Sequence, residues 1–145
     1  MKSFTLGSQE AVLLVVRLGL AAVMVLHGWR HLADPGVSAQ IERLTQAGLI
    51  QPKILVWAAI VLELGGGVLL ALGALTRLVA AACVAEFVMT ILWLSWPNGF
   101  FVSQGGWEYS AALILLGLVL VAYGAGAVSV DRLFRQPAPT TSSRR

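Results

Sequence analysis

Six ionisable residues stand inside or beside long apolar sequence: Arg17, His27, His31, Glu63, Glu86 and Glu108. Imidazoles and carboxyls in such surroundings carry protons or hold the polar oxygens of a ligand. The same groups can also lock two helices together as an ion pair. His27 and His31 are four residues apart, a spacing that metal ligands on one helical face can have, but no clear third ligand accompanies them. The single cysteine, Cys83, cannot build an intramolecular disulfide, a CxxC redox pair or a cysteine-rich zinc site. No metal site is expected.

The elements that must position these groups are legible as four apolar stretches, at residues 11–32, 54–75, 78–96 and 108–130. A helix needs about 20 apolar residues to cross a hydrocarbon core of about 30 Å. The 145-residue chain is 58% hydrophobic and only 12% charged, about half the charge of an ordinary water-soluble domain. That composition excludes disorder, a nucleic-acid-binding arm and a soluble fold. The expected class is all-α: a polytopic membrane protein built as an antiparallel bundle of four transmembrane helices. The first stretch is retained as a span and not cleaved, because Arg17 interrupts it and His27-Gly28-Trp29-Arg30-His31 stands where small residues would mark cleavage.

Four spans put both termini on one side. That side receives Lys2, Arg77, Arg132, Arg135, Arg144 and Arg145, whereas the other receives Arg30, Arg43 and Lys53. Basic residues stay on the cytoplasmic side, so both termini are expected there. Trp29, Trp57, Trp93, Trp96 and Trp107 then all fall near the outer ends of their helices, as interfacial indoles do. Between the first two spans, Asp34-Pro35-Gly36 signals a turn, and Val37, Ile41 and Leu44 recur at helical spacing beside Gln40, Glu42 and Arg43. A short amphipathic helix lying on the outer interface is expected. Residues 1–135 form one membrane domain, and residues 136–145 are expected to be a flexible cytoplasmic tail.

A charge at the centre of a span costs about 2.5–3.5 kcal/mol unless it is compensated. At 1.5 Å per residue, Arg17 lies roughly 9 Å from the cytoplasmic boundary, Glu86 roughly 12 Å, and Glu63 roughly 14 Å from the outer one. Arg17 is therefore expected as the buried charge partner of Glu63 or Glu86. Ala59, Glu63, Gly67 and Ala71 form a ridge of mostly small residues at i, i+4 spacing, which should face the bundle and carry Glu63 inward. His27 is either a proton carrier and ligand contact or a histidine bonded to nearby backbone. Glu108 is either functional or a helix-starting acid at the positive end of the dipole. The outer segment 97–106 is uncharged and rich in Gly and Phe, and could cap the bundle or dip into it.

Arg17-Leu18, His27-Gly28, Leu62-Glu63-Leu64-Gly65-Gly66-Gly67, Leu72-Gly73-Ala74-Leu75-Thr76-Arg77, Asn98-Gly99-Phe100-Phe101 and Gly105-Gly106-Trp107-Glu108 occur in this order. Together they resemble the DoxX family of small bacterial membrane proteins, over residues 11–132. The resemblance implies a four-helix protein of the bacterial inner membrane, linked to quinone-coupled oxidoreductases and to oxidative or quinone stress. Carried over by position, its motif residues are Arg17, His27, Gly28, Glu63, Asn98, Phe101 and Glu108.

A quinone needs an apolar slot, aromatic contact, donors at its carbonyls and a proton route. On this reading His27, Glu63 and Glu108 are the proton-handling residues, with Gly28, Trp57, Asn98, Phe100 and Phe101 around the ring. The chain carries no dithiol, iron–sulfur ligand set or nucleotide-binding glycine motif, so a soluble or membrane oxidoreductase partner would deliver electrons. Two alternatives stay open: a non-enzymatic anchor or assembly subunit for a redox partner, and a small transporter or proton pathway. The lipid bilayer is the expected partner in every case, a homo-oligomer fits the last, and nucleic acid fits none.

Overall fold

The computed structural model describes residues 2–133, with side chains from Gly7 onward. The tail expected at 136–145 lies outside the described residues. Helix α1 runs over Lys2–Ala33, and its Gly7–Ala33 portion of 27 residues is long and apolar enough to cross a membrane. So are α3 (Pro52–Leu72, 21 residues) and α4 (Thr76–Asn98, 23 residues). Between α1 and α3 lies α2 (Val37–Gln46). Gly36, at φ 85°, starts it; no side chain, Asp34 included, caps its first turn. Helix α5 (Glu108–Tyr123) has 16 residues, about 24 Å of helix, and α6 (Val130–Leu133) is a single turn. No strand occurs among the described residues.

The fourth apolar stretch thus stops being helical seven residues before its expected end at 130. Hydropathy does not register the reason. Gly124 and Gly126 adopt φ near 80°, a region that favours glycine and ends an α-helix. Their turn presents the Ala125 carbonyl to α1.

Helix α1 packs mainly on α3, and α4 on α5. Leu20, Met24, Leu70, Cys83, Leu113 and Leu120 fill the shared interior. The outward faces carry Val15, Leu26, Val61, Leu78 and Leu115, all well exposed, which suits helices surrounded by lipid. Glycines set the register of α1 against α3. A Cβ on Gly28 would lie 2.9 Å from Glu63 Cβ, one on Gly67 2.7 Å from Val25 Cγ2, and one on Gly73 2.6 Å from Arg17 Nη1. The two helices are therefore antiparallel, with Glu63 level with Gly28 and Gly73 level with Arg17.

That register overturns the expected pairing of Arg17 with Glu63 or Glu86. Ten residues of α3 separate Glu63 from the level of Arg17, about 15 Å along the axis, beyond a side chain's reach. Arg17 is 2% exposed, and its Nη1 donates to the Ala125 carbonyl at 2.6 Å. The nearby acid is Asp131, whose Oδ1 and Oδ2 accept from the backbone N–H groups of Leu75 (2.7 Å) and Thr76 (3.0 Å) at the start of α4. Glu10 Oε2 accepts from the Ala127 N–H. These bonds tie the post-α5 segment to α1 and to the α3–α4 turn.

Three outcomes follow. Gly67→Ala places a methyl against Val25 and 3.1 Å from the Ala21 carbonyl, and should cost about 1–3 kcal/mol in detergent unfolding. Gly65→Ala, which meets nothing within 4 Å, should change stability by less than about 0.5 kcal/mol. Arg17→Leu removes a hydrogen bond worth about 1.5–3 kcal/mol and should raise amide exchange over residues 124–131 by about tenfold or more, with the α1–α3 contact retained.

Candidate functional site

At the other end of the bundle a cavity of about 500 Å³ opens among α1, α2, α3, α4 and α5. Its walls are mainly aliphatic and small: Val56, Ala59, Leu62, Ala82, Ala85 and Leu113 line it. The ionisable groups that reach it are His27 and His31 from α1, Arg43 from α2, Glu63 from α3, Glu86 from α4 and Tyr109 from α5.

His31 Nδ1 lies 2.7 Å from Glu63 Oε2, and Glu63 is 3% exposed. Taking so buried a carboxyl out of water is costly, and the imidazole supplies the compensating partner. Gly28 makes the pairing geometrically available, since its missing side chain lets α3 come close beneath His31. Glu63 also stands on a π-turn, Leu62–Gly66, and a second one, Ile91–Ser95, carries the lining residues Trp93 and Leu94. Such turns interrupt the regular helical ladder and recur at functional sites.

His27 lies one turn before His31, with ring centroids 6.4 Å apart and planes at 84°. Its Nδ1 is 2.9 Å from the Val23 carbonyl. A carbonyl only accepts, so Nδ1 is the N–H of this ring, and in the neutral imidazole Nε2 is left as the free acceptor. The Tyr109 ring stacks on it at 5.8 Å and 19°. Glu86 lines the same cavity, and its Oε2 is buried without a hydrogen-bond partner. Among the described residues no group of three His, Cys, Asp or Glu side chains could hold a metal ion.

The cavity brings together His27, Glu63 and Glu86 but not the rest of the expected set. Arg17 lies at the far end, as described above. Glu108, in the first turn of α5, accepts from the Val102 N–H at 2.9 Å and so serves the loop before its own helix. Asn98 Nδ2 donates to the Gly105 carbonyl at 3.2 Å and stitches the same loop. Phe100 packs edge-on against Phe101 (5.4 Å) and Trp107 (4.8 Å), and Trp107 stacks on Trp96 (6.0 Å). Segment 97–106 is therefore a self-contained aromatic cap, and Asn98, Phe100 and Phe101 do not line the cavity. Trp57 is exposed on the outer surface of α3. Gly28 does not line this cavity either; it lets Glu63 come close to α1.

Four participants escaped the sequence reading in these roles. His31 is the partner of Glu63, Tyr109 is the stacking partner of His27, and Gln40 and Arg43 of α2 reach the cavity mouth. A signal existed for α2: Gln40 and Arg43, three apart, share the flank of its apolar face.

Neither the curated proteins nor the solved structures yield a match to this chain. The family model for DoxX matches residues 12–96, a stretch that runs from α1 into α4 and includes His27, His31, Glu63 and Glu86. With more than half of its residues matched, this membrane protein belongs to the DoxX family.

Proposed function

We propose that this chain is a subunit of a quinone-linked membrane oxidoreductase system and that its cavity holds the quinone ring. One observation carries the reading: His27, the His31–Glu63 pair and the unpartnered Glu86 oxygen meet in a single, largely apolar cavity. Its volume of about 500 Å³ lies within the range of ligand pockets, about 300–1,000 Å³. Phe87, Trp93 and Tyr109 offer aromatic contact, and the aliphatic walls suit a ring with an apolar tail. A bound quinone would supply the capacity to take up two electrons and two protons.

The chain's own residues supply positions and protons. His27 is held by Val23 so that Nε2 is its free nitrogen, and Tyr109 fixes the plane of its ring. Glu63 and His31 share a hydrogen bond whose proton can shift between them, which lets the pair relay a proton at the cavity wall. Donation from His27 to a quinone carbonyl would need a protonated ring, since Nδ1 is already committed to Val23. Electrons come from an oxidoreductase partner, because the one thiol, Cys83, is sealed in the core.

The topology that suits this role has α1, α3, α4 and α5 as four spans of a bacterial inner membrane, with both termini cytoplasmic. In support, Trp29, Trp57, Trp93, Trp96 and Trp107 all lie at the cavity end, and Arg77 and Arg132 lie at the other. Helix α2 would then rest on the outer interface across the cavity mouth.

Lipid extraction of protein purified from its native membrane tests the reading. The protein should carry bound quinone, and His27→Ala and Glu63→Gln should each carry at least about tenfold less, the loss expected for removing a buried polar contact. No quinone in any preparation, and no uptake of an added short-chain quinone, would overturn it in favour of an anchoring subunit.

A further inference from the structure

The cavity borders the surroundings of the bundle on two sides. Toward the aqueous end it is roofed by α2 and the turn after it. Helix α2 is packed on α1 and α3, and Leu44 and Leu49 line the cavity beside Gln40 and Arg43. Sideways, α3 packs on α4 through residues 62–72, next to their turn, whereas its Pro52–Val61 portion packs on α1 and α2. The two helices therefore part toward the cavity end. Along the gap, Ala58 of α3 and Ala85, Met89 and Trp93 of α4 line the cavity and are also exposed. At 1.5 Å per residue, Ala58 lies roughly 9 Å from the start of α3, and Trp93 and Ala85 roughly 8 and 20 Å from the end of α4. The gap thus lies at the depth of the hydrocarbon core.

We infer that this gap is a lateral portal: the cavity exchanges its occupant with the bilayer between α3 and α4, and α2 closes it to water. The partner that fits is a slender, apolar molecule dissolved in lipid, because the portal is edged by two alanines and opens from an aliphatic lining straight onto acyl chains. A larger side chain at Ala58 or Ala85 would narrow the passage from the outside, where lipid leaves room for it. Glu86, behind this edge, lines the cavity with one oxygen buried and unpartnered, and so reports what enters. The route holds for any lipid-dissolved ligand; it goes beyond the proposed function and can fail separately from it.

The test treats the full chain in nanodiscs, in mildly acidic buffer, with one of two carbodiimides. Dicyclohexylcarbodiimide dissolves in lipid and adds to a protonated carboxyl, giving after internal acyl transfer an N-acylurea that keeps every atom of both. The ethyl-dimethylaminopropyl reagent stays in water, and glycine methyl ester traps its adduct as an amide with release of the urea. Peptide mass spectrometry reads both products, and Glu42, exposed on α2, is the aqueous control. Relative to Glu42, the lipid-soluble reagent should modify Glu86 at least about tenfold faster than the water-soluble one does. Ala58→Trp with Ala85→Trp should slow that modification about tenfold, whereas Ala81→Trp, exposed on α4 but off the cavity, should not change it. Equal access for the two reagents, an unchanged rate in the doubly substituted chain, or no modification of Glu86 by either reagent overturns the portal. The quinone content of the same preparations scores the proposed function independently.

Discussion

The close approach of α1 to α3 is the constraint on which the rest of the molecule depends. In an apolar surround, helices gain little by hiding aliphatic side chains from one another, so small residues and polar partners decide where they meet. Gly28, Gly67 and Gly73 leave room for one antiparallel register. That register puts Glu63 beside His31 and Arg17 beside Ala125. Each buried group then finds its partner at its own depth. A slip by one turn, about 5.4 Å, would drive Val25 or Leu64 into backbone and strand both groups without compensation.

The consequence is a molecule with two polar ends that do different work. At the end carrying the α3–α4 turn, the charged side chains are tied to backbone groups, although Arg17 Nε and Thr76 Oγ1 are buried without partners. Arg17 and Glu10 bond backbone groups of the glycine turn after Tyr123, and Asp131 bonds the N–H groups that open α4. At the other end the groups are only half satisfied. His27 keeps a free nitrogen, Glu86 a free oxygen, and a volume of about 500 Å³ lies between the helices that carry them. Buried polar atoms without partners destabilise a fold; Arg17 Nε and Thr76 Oγ1 are such atoms at the closed end, and Glu86 Oε2 is the one on the cavity wall, where an occupant could recover the cost.

The helices were legible in the sequence because a hydrocarbon core demands a run of about 20 apolar residues, and such runs are hard to mistake. The inward placement of Glu63 was legible too, from the small residues around it, and the structure buries it. The ridge containing it was legible only in part. Steps of four residues drift by about 40° on a helix of 3.6 residues per turn, so Ala71 ends on the exposed side and Leu70 takes its place inside. The end of α5 escaped because hydropathy scores Gly124 and Gly126 as unremarkable while their backbone angles stop the helix. The partner of Glu63 escaped for a different reason: depth estimates taken from separate boundaries cannot say which residues two helices bring level. The glycines hold that information, but only once it is known which face each one occupies.

The loop before α5 shows how a motif can belong to a family's sequence and still lie away from the cavity. Asn98, Phe100, Phe101 and Glu108 satisfy one another or the loop backbone, and Trp107 closes the cluster. Their work is to fix the first turn of α5. Tyr109 is the next residue after Glu108, and its ring lies on His27. A displacement of the cap would therefore be felt at the imidazole through one stacked contact, without any cap residue entering the cavity. The cap thus bears on the cavity by holding Tyr109, the stacking partner of the lining residue His27.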